Sequence, residues 1–489
     1  MHRREAWVPS RLLDVHPGPT DAINLFQTHN LPANTELDKI RYLTLSHVWG
    51  QVHPMKLTTA NIANLERGIE LNNLPRKFQD VVKVARRLRI RYLWIDSLCI
   101  IQDSPEDWSH EASMMEKVYR QGICNISACN GEDSSASLFS TRNPRSGRPL
   151  VFTQKYLNCS VRFTLIPDWV TLTRTWAKLY FRAWVLQERL LSPRIIHFAD
   201  FLAWECYTSL ATETYSENLK PHRLGFPSLP ESERDLVTSE KVSGYISHAA
   251  RWWDLVQKYT NSKLTYQGDK LVAISGLAEA FSKVIQQPYF AGIWGGDEII
   301  LSLLWFTFGE TSRPTKYRAP SWSWASVEGA VLNYLDSTIS QSLVHVVSIT
   351  TKPQHGDVYG QVQGGQLALK GFLIEIQNFS ERLRTVIAAD IACRFDDKDE
   401  AGSGPIIFVP FATTKTQYFP EKNEPDFSGI YVQHEEHDGS DPSRRQVFRR
   451  IGCGHFSKGG DGCILDLDQW AKLLKLSEPE TYGEDFIIV

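Results

Sequence analysis

The sequence has no run of 18 or more apolar residues, which excludes a membrane-spanning helix. Its opening residues, Met1 to Pro9, hold two arginines with no apolar stretch behind them. They read as no secretory leader, and the expected location is cytoplasmic. Neither sign of charge dominates: 53 Lys and Arg stand against 56 Asp and Glu, a net charge of −3. No global basic field argues for nucleic acid or an anionic membrane as a partner. Cysteine is scarce. The eight (Cys99, Cys124, Cys129, Cys159, Cys206, Cys393, Cys453 and Cys463) include no Cys-x-x-Cys pair and read as free thiols, mostly buried. Cys453-x-His455 with Cys463 lacks the paired close spacing of a zinc site, and no metal is expected. Several familiar catalytic signatures are missing too. There is no Gly-x-x-x-x-Gly-Lys-Ser/Thr loop, no Gly-x-Gly-x-x-Gly after a strand, no His-Glu-x-x-His and no Gly-x-Ser-x-Gly.

What the chain does have is an ordinary globular balance, 42% hydrophobic and 22% charged, which excludes wholesale disorder. At about 100–200 residues per domain, 489 residues suggest two to four domains, two or three being the most natural. Fifteen tryptophans are an unusual number. The best-patterned stretch begins with Arg41-Tyr-Leu-Thr-Leu-Ser46, a predicted strand. Pro75 then opens a segment with Phe78, Val81, Val82, Ala85 and Leu88 at the spacing of a core-facing helix. Tyr92-Leu-Trp-Ile-Asp96 is a second strand, and Ser104-Pro105 opens a helix carrying Trp108, Ala112, Met115, Val118 and Tyr119. Cys124-Asn-Ile-Ser-Ala128 is a third strand. Strand, helix, strand, helix, strand with short connections predicts a parallel sheet covered by helices.

Beyond it, Phe152 to Ile166 reads as strand, Leu179 to Leu191 as helix, and Ile195–Phe198 with Phe201–Cys206 as a hairpin. Ser216 to Glu240 reads as a polar surface excursion, followed by helices around Trp252–Tyr259 and Leu271–Phe281. The expected divisions are an N-terminal segment 1–40, an α/β domain 41–215 with its core at 41–130, a mainly helical extension 216–340 and a β-rich domain 341–489.

Open α/β sheets place their sites at the carboxyl ends of their strands. There the sequence offers Ser46-His47-Val48-Trp49-Gly50 after the first strand and Asp96-Ser97-Leu98-Cys99 after the second, with Gln102-Asp103 closing that loop. Asp96 and Asp103 read either as members of a ligand-holding rim or as turn and cap residues ahead of Pro105. Glu111 shares a helix face with Trp108 and Met115. A carboxylate on an apolar stripe is either at a cleft, with a raised pKa suited to acid, base or ribose-gripping work, or paired with an arginine. His47 and Cys99 read as a thiol–imidazole pair or as a hydrogen-bonded histidine near an inert thiol. Arg182 and Glu188 read as a clamp lining a site or as a salt bridge locking the fold. Asp269 reads as the N-cap of the helix at Leu271, and the alternation of Trp322 and Trp324 predicts a strand with both indoles on one side.

These motifs, in order and spacing, resemble the fungal heterokaryon incompatibility (HET) domain. The residues that carry the resemblance are Leu45-Ser-His-Val-Trp-Gly50, Leu74-Pro75, Tyr92 to Asp103, Trp108-x-x-Glu111-x-x-x-Met115-x-x-Val-Tyr119 and Arg182-Ala-Trp-x-x-Gln-Glu-Arg-x-Leu-Ser192. Tyr259 to Gly276, Ala291 to Trp294, Arg318 to Ser326 and the tail from Phe448 are similar to the extension many such proteins carry. The resemblance implies nonself recognition after cell fusion and programmed cell death. It also implies an α/β fold, a Toll/interleukin-1 receptor (TIR)-like parallel-sheet core with a helical extension and a β-rich C-terminal domain. Some TIR domains cleave NAD with a glutamate in a tryptophan-led helix, and Trp108-Ser-His-Glu111 is similar to that arrangement. The expected catalytic residues are therefore Glu111 and Asp96, with Ser46, His47, Trp49, Asp103, Arg182 and Glu188 binding the ligand. Val48 stands where the family often has cysteine, which argues against a thiol mechanism. No cofactor is expected; NAD enters as a candidate substrate, and the partner is an incompatibility protein or a small molecule. The alternative is a tailoring enzyme or accessory protein of a secondary-metabolite cluster, its tryptophan-rich seam enclosing an apolar molecule.

Overall fold

The computed structural model describes residues 7–489 except 17–20, 51–54, 142–149, 157–158, 166–176, 208, 214–247, 334–336, 355, 377–392, 397–404, 417–425, 436–445 and 457–483. The polar stretch Ser216 to Glu240 and Cys463 lie outside the described residues. The chain divides into two compact units, Met1–Ser239 and Glu240–Val489. Among the described residues no helix is long and apolar enough to cross a membrane.

The strands of the first unit are β1 (Arg11–Asp14), β2 (Ala22–Gln27), β3 (Tyr42–Ser46), β4 (Ile69–Glu70), β5 (Tyr92–Ile95) and β6 (Cys124–Ala128). A separate hairpin, β7 (Leu150–Tyr156) and β8 (Cys159–Leu165), precedes β9 (Arg194–Phe198), β10 (Leu202–Cys206) and β11 (Leu210–Thr212). All but the hairpin share one sheet in the order β11-β10-β9-β6-β3-β5-β1-β2-β4. Its centre is parallel, as the sequence predicts: β5, β3, β6 and β9 run in one direction. Numbered along the chain, these four stand across the sheet in the order 2-1-3-4, a doubly wound arrangement whose switch point lies between the first and third strands, here β3 and β6. The flanking pairs are antiparallel, so the sheet as a whole is mixed.

The helices are α1 (Ile62–Arg67), α2 (Arg76–Arg87), α3 (Asp96–Cys99), α4 (Pro105–Gln121) and α5 (Ala183–Leu191). Phe78, Val81, Val82 and Ala85 of α2 are buried as their spacing predicts, each large side chain contributing roughly 2 kcal/mol. Leu88 is not on that stripe. It is 45% exposed, because α2 ends at Arg87 and Arg89 turns the chain away in a left-handed conformation (φ 58°). Ser104 caps α4, its hydroxyl accepting from the Asp107 N–H at 3.2 Å, with Pro105 in the first turn where no donor is needed.

The second unit begins with α6 (His248–Thr260) and α7 (Val272–Ile285), and its strands between Ser337 and Ile488 form a second sheet of nine. All but one of its pairings are antiparallel, the exception joining Gln446–Phe456 to Glu484–Ile488. Two expectations are corrected here. Asp269 lies in a 3-10 turn, Gln267–Lys270, and Leu271 occupies the cap of α7. Trp322 and Trp324 lie in a turn and a 3-10 helix, not a strand, since Ser323 caps that turn by accepting from the Ala325 N–H at 3.1 Å. Both indoles are fully buried. The Gly292 carbonyl accepts from Trp324 Nε1 and Trp252 Nε1, each at 2.9 Å, which knits the tryptophan-rich seam together.

Candidate functional site

The carboxyl end of β3 meets α5 over a buried polar cluster. The Ser46 hydroxyl bonds the Glu188 carboxyl and accepts from Asn125 Nδ2 at 2.8 Å. The Tyr119 hydroxyl of α4 also hydrogen-bonds Glu188. Burial foremost, and then the charge of Asp96, push Glu188 from its ordinary 4.5 to about 7, against the pull of Arg182. Asp96, at the start of α3, accepts from Trp49 Nε1 at 2.8 Å and from the Ser97 N–H at 2.7 Å. Its carboxyl is raised by burial, with Arg182, Trp49 and Ser97 opposing. His47 Nδ1 is 3.7 Å from Asp96, and neither ring nitrogen has a hydrogen-bond partner among the described residues. Burial, then the charges of Arg182 and Lys77, hold the imidazole well below its usual range, so it is neutral. Arg182 donates to the His47 carbonyl and faces both carboxyls electrostatically. At Gly50 (φ 77°) a side chain would overlap Asp133, so glycine lets the loop after β3 pack onto the loop after β6.

Six of the residues singled out from sequence therefore converge: Ser46, His47, Trp49, Asp96, Arg182 and Glu188. Two stand apart from that bonding network. Asp103 is a turn anchor at the surface, accepting from the Thr59 N–H at 2.8 Å and the Thr59 hydroxyl at 2.7 Å. Glu111 is buried on α4 with Arg11 Nη1 3.8 Å away, the arginine pairing its position allowed. Arg11 also donates to the Cys99 carbonyl at 2.7 Å and to Asp107 at 3.1 Å. Burial raises the Glu111 carboxyl, opposed by a Ser10 hydrogen bond and Arg11. The Cys99 thiol, buried and pushed up to about 12 by that burial, stays protonated, so the pairing with His47 is not a thiolate couple.

The sequence reading missed the polar row beside this cluster. Ser46, Ser127 and His197 lie opposite one another on β3, β6 and β9. Thr44 donates to Asn125 Oδ1 at 3.0 Å, one pleat earlier. The signal was present: Thr44/Ser46 and Asn125/Ser127 put polar groups at alternate positions of strands that a parallel sheet buries on both faces.

Residues 42–188 match the family model described as heterokaryon incompatibility protein (HET). The chain carries a HET domain. No curated protein and no solved structure matches it. The HET domain opens at the first residue of β3 and closes on Glu188, so it spans the whole convergent cluster. Arg11 lies before it, and His197 and Glu205 after it.

Proposed function

We propose that the chain is a fungal incompatibility effector of programmed cell death whose HET domain works as a TIR-like NAD glycohydrolase. The observation that carries this reading is the acid pair of buried Glu188 and half-buried Asp96 with Arg182, set at the switch point where doubly wound sheets bind their ligands. A carboxyl raised to about 7, beside a second acid that burial also raises, suits acid–base work near neutral pH. In the reaction the C1′–N bond to nicotinamide breaks, the electron pair leaving on the pyridinium nitrogen, and the ribose passes through an oxocarbenium-like state. The carboxylates stabilise that charge. Water adds at C1′, giving nicotinamide, ADP-ribose and one proton. Asp96 and Glu188 are the working carboxyls in this reading; Ser46, His47, Trp49 and Arg182 line the ligand. Glu111 and Asp103 brace the loops that carry them, Glu111 through Arg11 on the Cys99 carbonyl.

The test is nicotinamide release from NAD by the purified chain beside Glu188→Gln, Asp96→Asn and Glu111→Gln. Turnover in the native chain with a loss of about 100-fold or more in the first two supports the reading. A comparable loss in Glu111→Gln with kcat restored by no change of pH would move the catalytic role to Glu111. No turnover by the folded native chain removes NAD cleavage.

A further inference from the structure

Next to the acid pair, the polar row continues into a directed hydrogen-bond chain. Ser127 Oγ lies 3.0 Å from the Tyr180 hydroxyl, and that hydroxyl lies 2.5 Å from His197 Nδ1. His197 Nε2 lies 3.0 Å from Glu205 Oε2. Arg189 grips Glu205 with two donors, at 3.0 Å and 2.8 Å, which keeps the carboxylate ionised. A carboxylate only accepts, so Nε2 carries a proton, and in the neutral ring Nδ1 is then the acceptor. Tyr180 must then donate to Nδ1, which leaves its oxygen to accept from Ser127. Burial holds the Tyr180 hydroxyl well above its usual range, so it passes a proton on only while receiving another. Cys129, whose sulfur is 3.5 Å from Ser127 Oγ, is pushed up to about 11 by burial and stays a thiol. Cys129 Sγ also donates to the Tyr180 hydroxyl at 3.8 Å, and with a neutral ring the Ser127–Tyr180–His197 links run one way, from Ser127 to His197.

We propose that Ser127, Tyr180 and His197 form a proton relay serving the switch-point site, with Glu205 and Arg189 as the positioning residues that hold the terminal imidazole. This rests on the hydrolytic reading of that site, whose one loose end is the proton released when water adds to C1′. Ser127 neighbours Ser46, which bonds Glu188, so the relay begins one strand from the acid pair. The water proton moves to Ser127 Oγ as the Ser127 proton moves to Tyr180 and the Tyr180 proton moves to His197 Nδ1. The imidazolium so formed faces Glu205, and its proton returns along the same chain to the site once the product has left. Water is the sole co-reactant.

Two measurements on the full chain test the relay. Nitrogen NMR, with His197→Gln to assign the signal, reads the His197 tautomer independently of any substrate. The relay requires a neutral ring protonated at Nε2, and an Nδ1-protonated ring overturns it whatever the protein cleaves. Nicotinamide release is then followed in light and heavy water for the native chain, Tyr180→Phe and Glu205→Gln. The relay expects kcat to fall about 100-fold in Tyr180→Phe with KM unchanged, and the solvent isotope effect of the native chain to shrink. A folded Tyr180→Phe variant with native kcat and isotope effect overturns it. No native turnover together with an Nε2-protonated ring sinks NAD cleavage and supports the wiring of the relay.

Discussion

Replacing Glu188 by glutamine isolates the energetic cost of the acid pair. Glu188 is 4% exposed and its carboxyl sits at about 7 in the folded chain against an ordinary 4.5. Between those values the native state binds the proton that the unfolded state has released, so stability falls as pH rises through the window and levels off above about 7. The displacement corresponds to about 3 kcal/mol. That stability is fully present below about pH 4.5 and gone above about 7, the opposite sense to a salt-bridged carboxylate. Glutamine keeps the shape and offers Ser46 and Tyr119 a hydrogen-bond partner without the charge. The expected result is that Glu188→Gln removes most of this slope and is the more stable protein at about pH 8. Hydrogen exchange of the β3 and β6 amides, corrected for its intrinsic pH dependence, reads that stability within the HET domain at about pH 5 and about pH 8. Parallel losses in the two proteins would refute the burial argument, since the slope would then come from other groups.

The remaining predictions concern residues away from the acid pair. Gly292 has φ 97°, and an added Cβ would come within 2.5 Å of the Trp324 indole, so Gly292→Ala should cost about 2 kcal/mol or more. Unchanged melting of that variant would contradict the close approach at the tryptophan seam. Arg11→Met strands the buried Glu111 and should cost about 3 kcal/mol, with part regained in the double variant carrying Glu111→Gln. Strictly additive losses in a denaturation cycle would show that the two side chains are not coupled. Buried Cys99, its thiol pushed up to about 12, should resist iodoacetamide in the folded chain while exposed Cys159 is alkylated. Mass spectrometry finding Cys99 modified first would reverse that order.

Much of the HET domain was legible from short windows. β3, β5, β6, α2 and α4 announce themselves because a buried strand and an amphipathic helix each repeat their apolar positions within a few residues. What a window cannot hold is a partner far away in sequence. Glu111 on α4 left two readings open, and only β1, brought between β5 and β2 in the sheet, supplies Arg11. Trp322 and Trp324 show the converse failure: an alternation that fits a strand fits a turn equally well when a cap at Ser323 bends the chain. The polar row is the most instructive case. A serine or asparagine in a strand covered on both faces must find a hydrogen-bond partner, because an unmet buried polar group costs about 1–3 kcal/mol. Ser46 and Asn125 meet that demand in Glu188 and in each other, and Ser127 meets it in Tyr180. None of these partners is predictable by spacing, yet the demand is, and it falls at the carboxyl ends of β3 and β6, where the strand order puts the ligand crevice. Polar residues at alternate positions of strands destined for burial therefore locate a site before any partner is known, provided the strands are recognised as central.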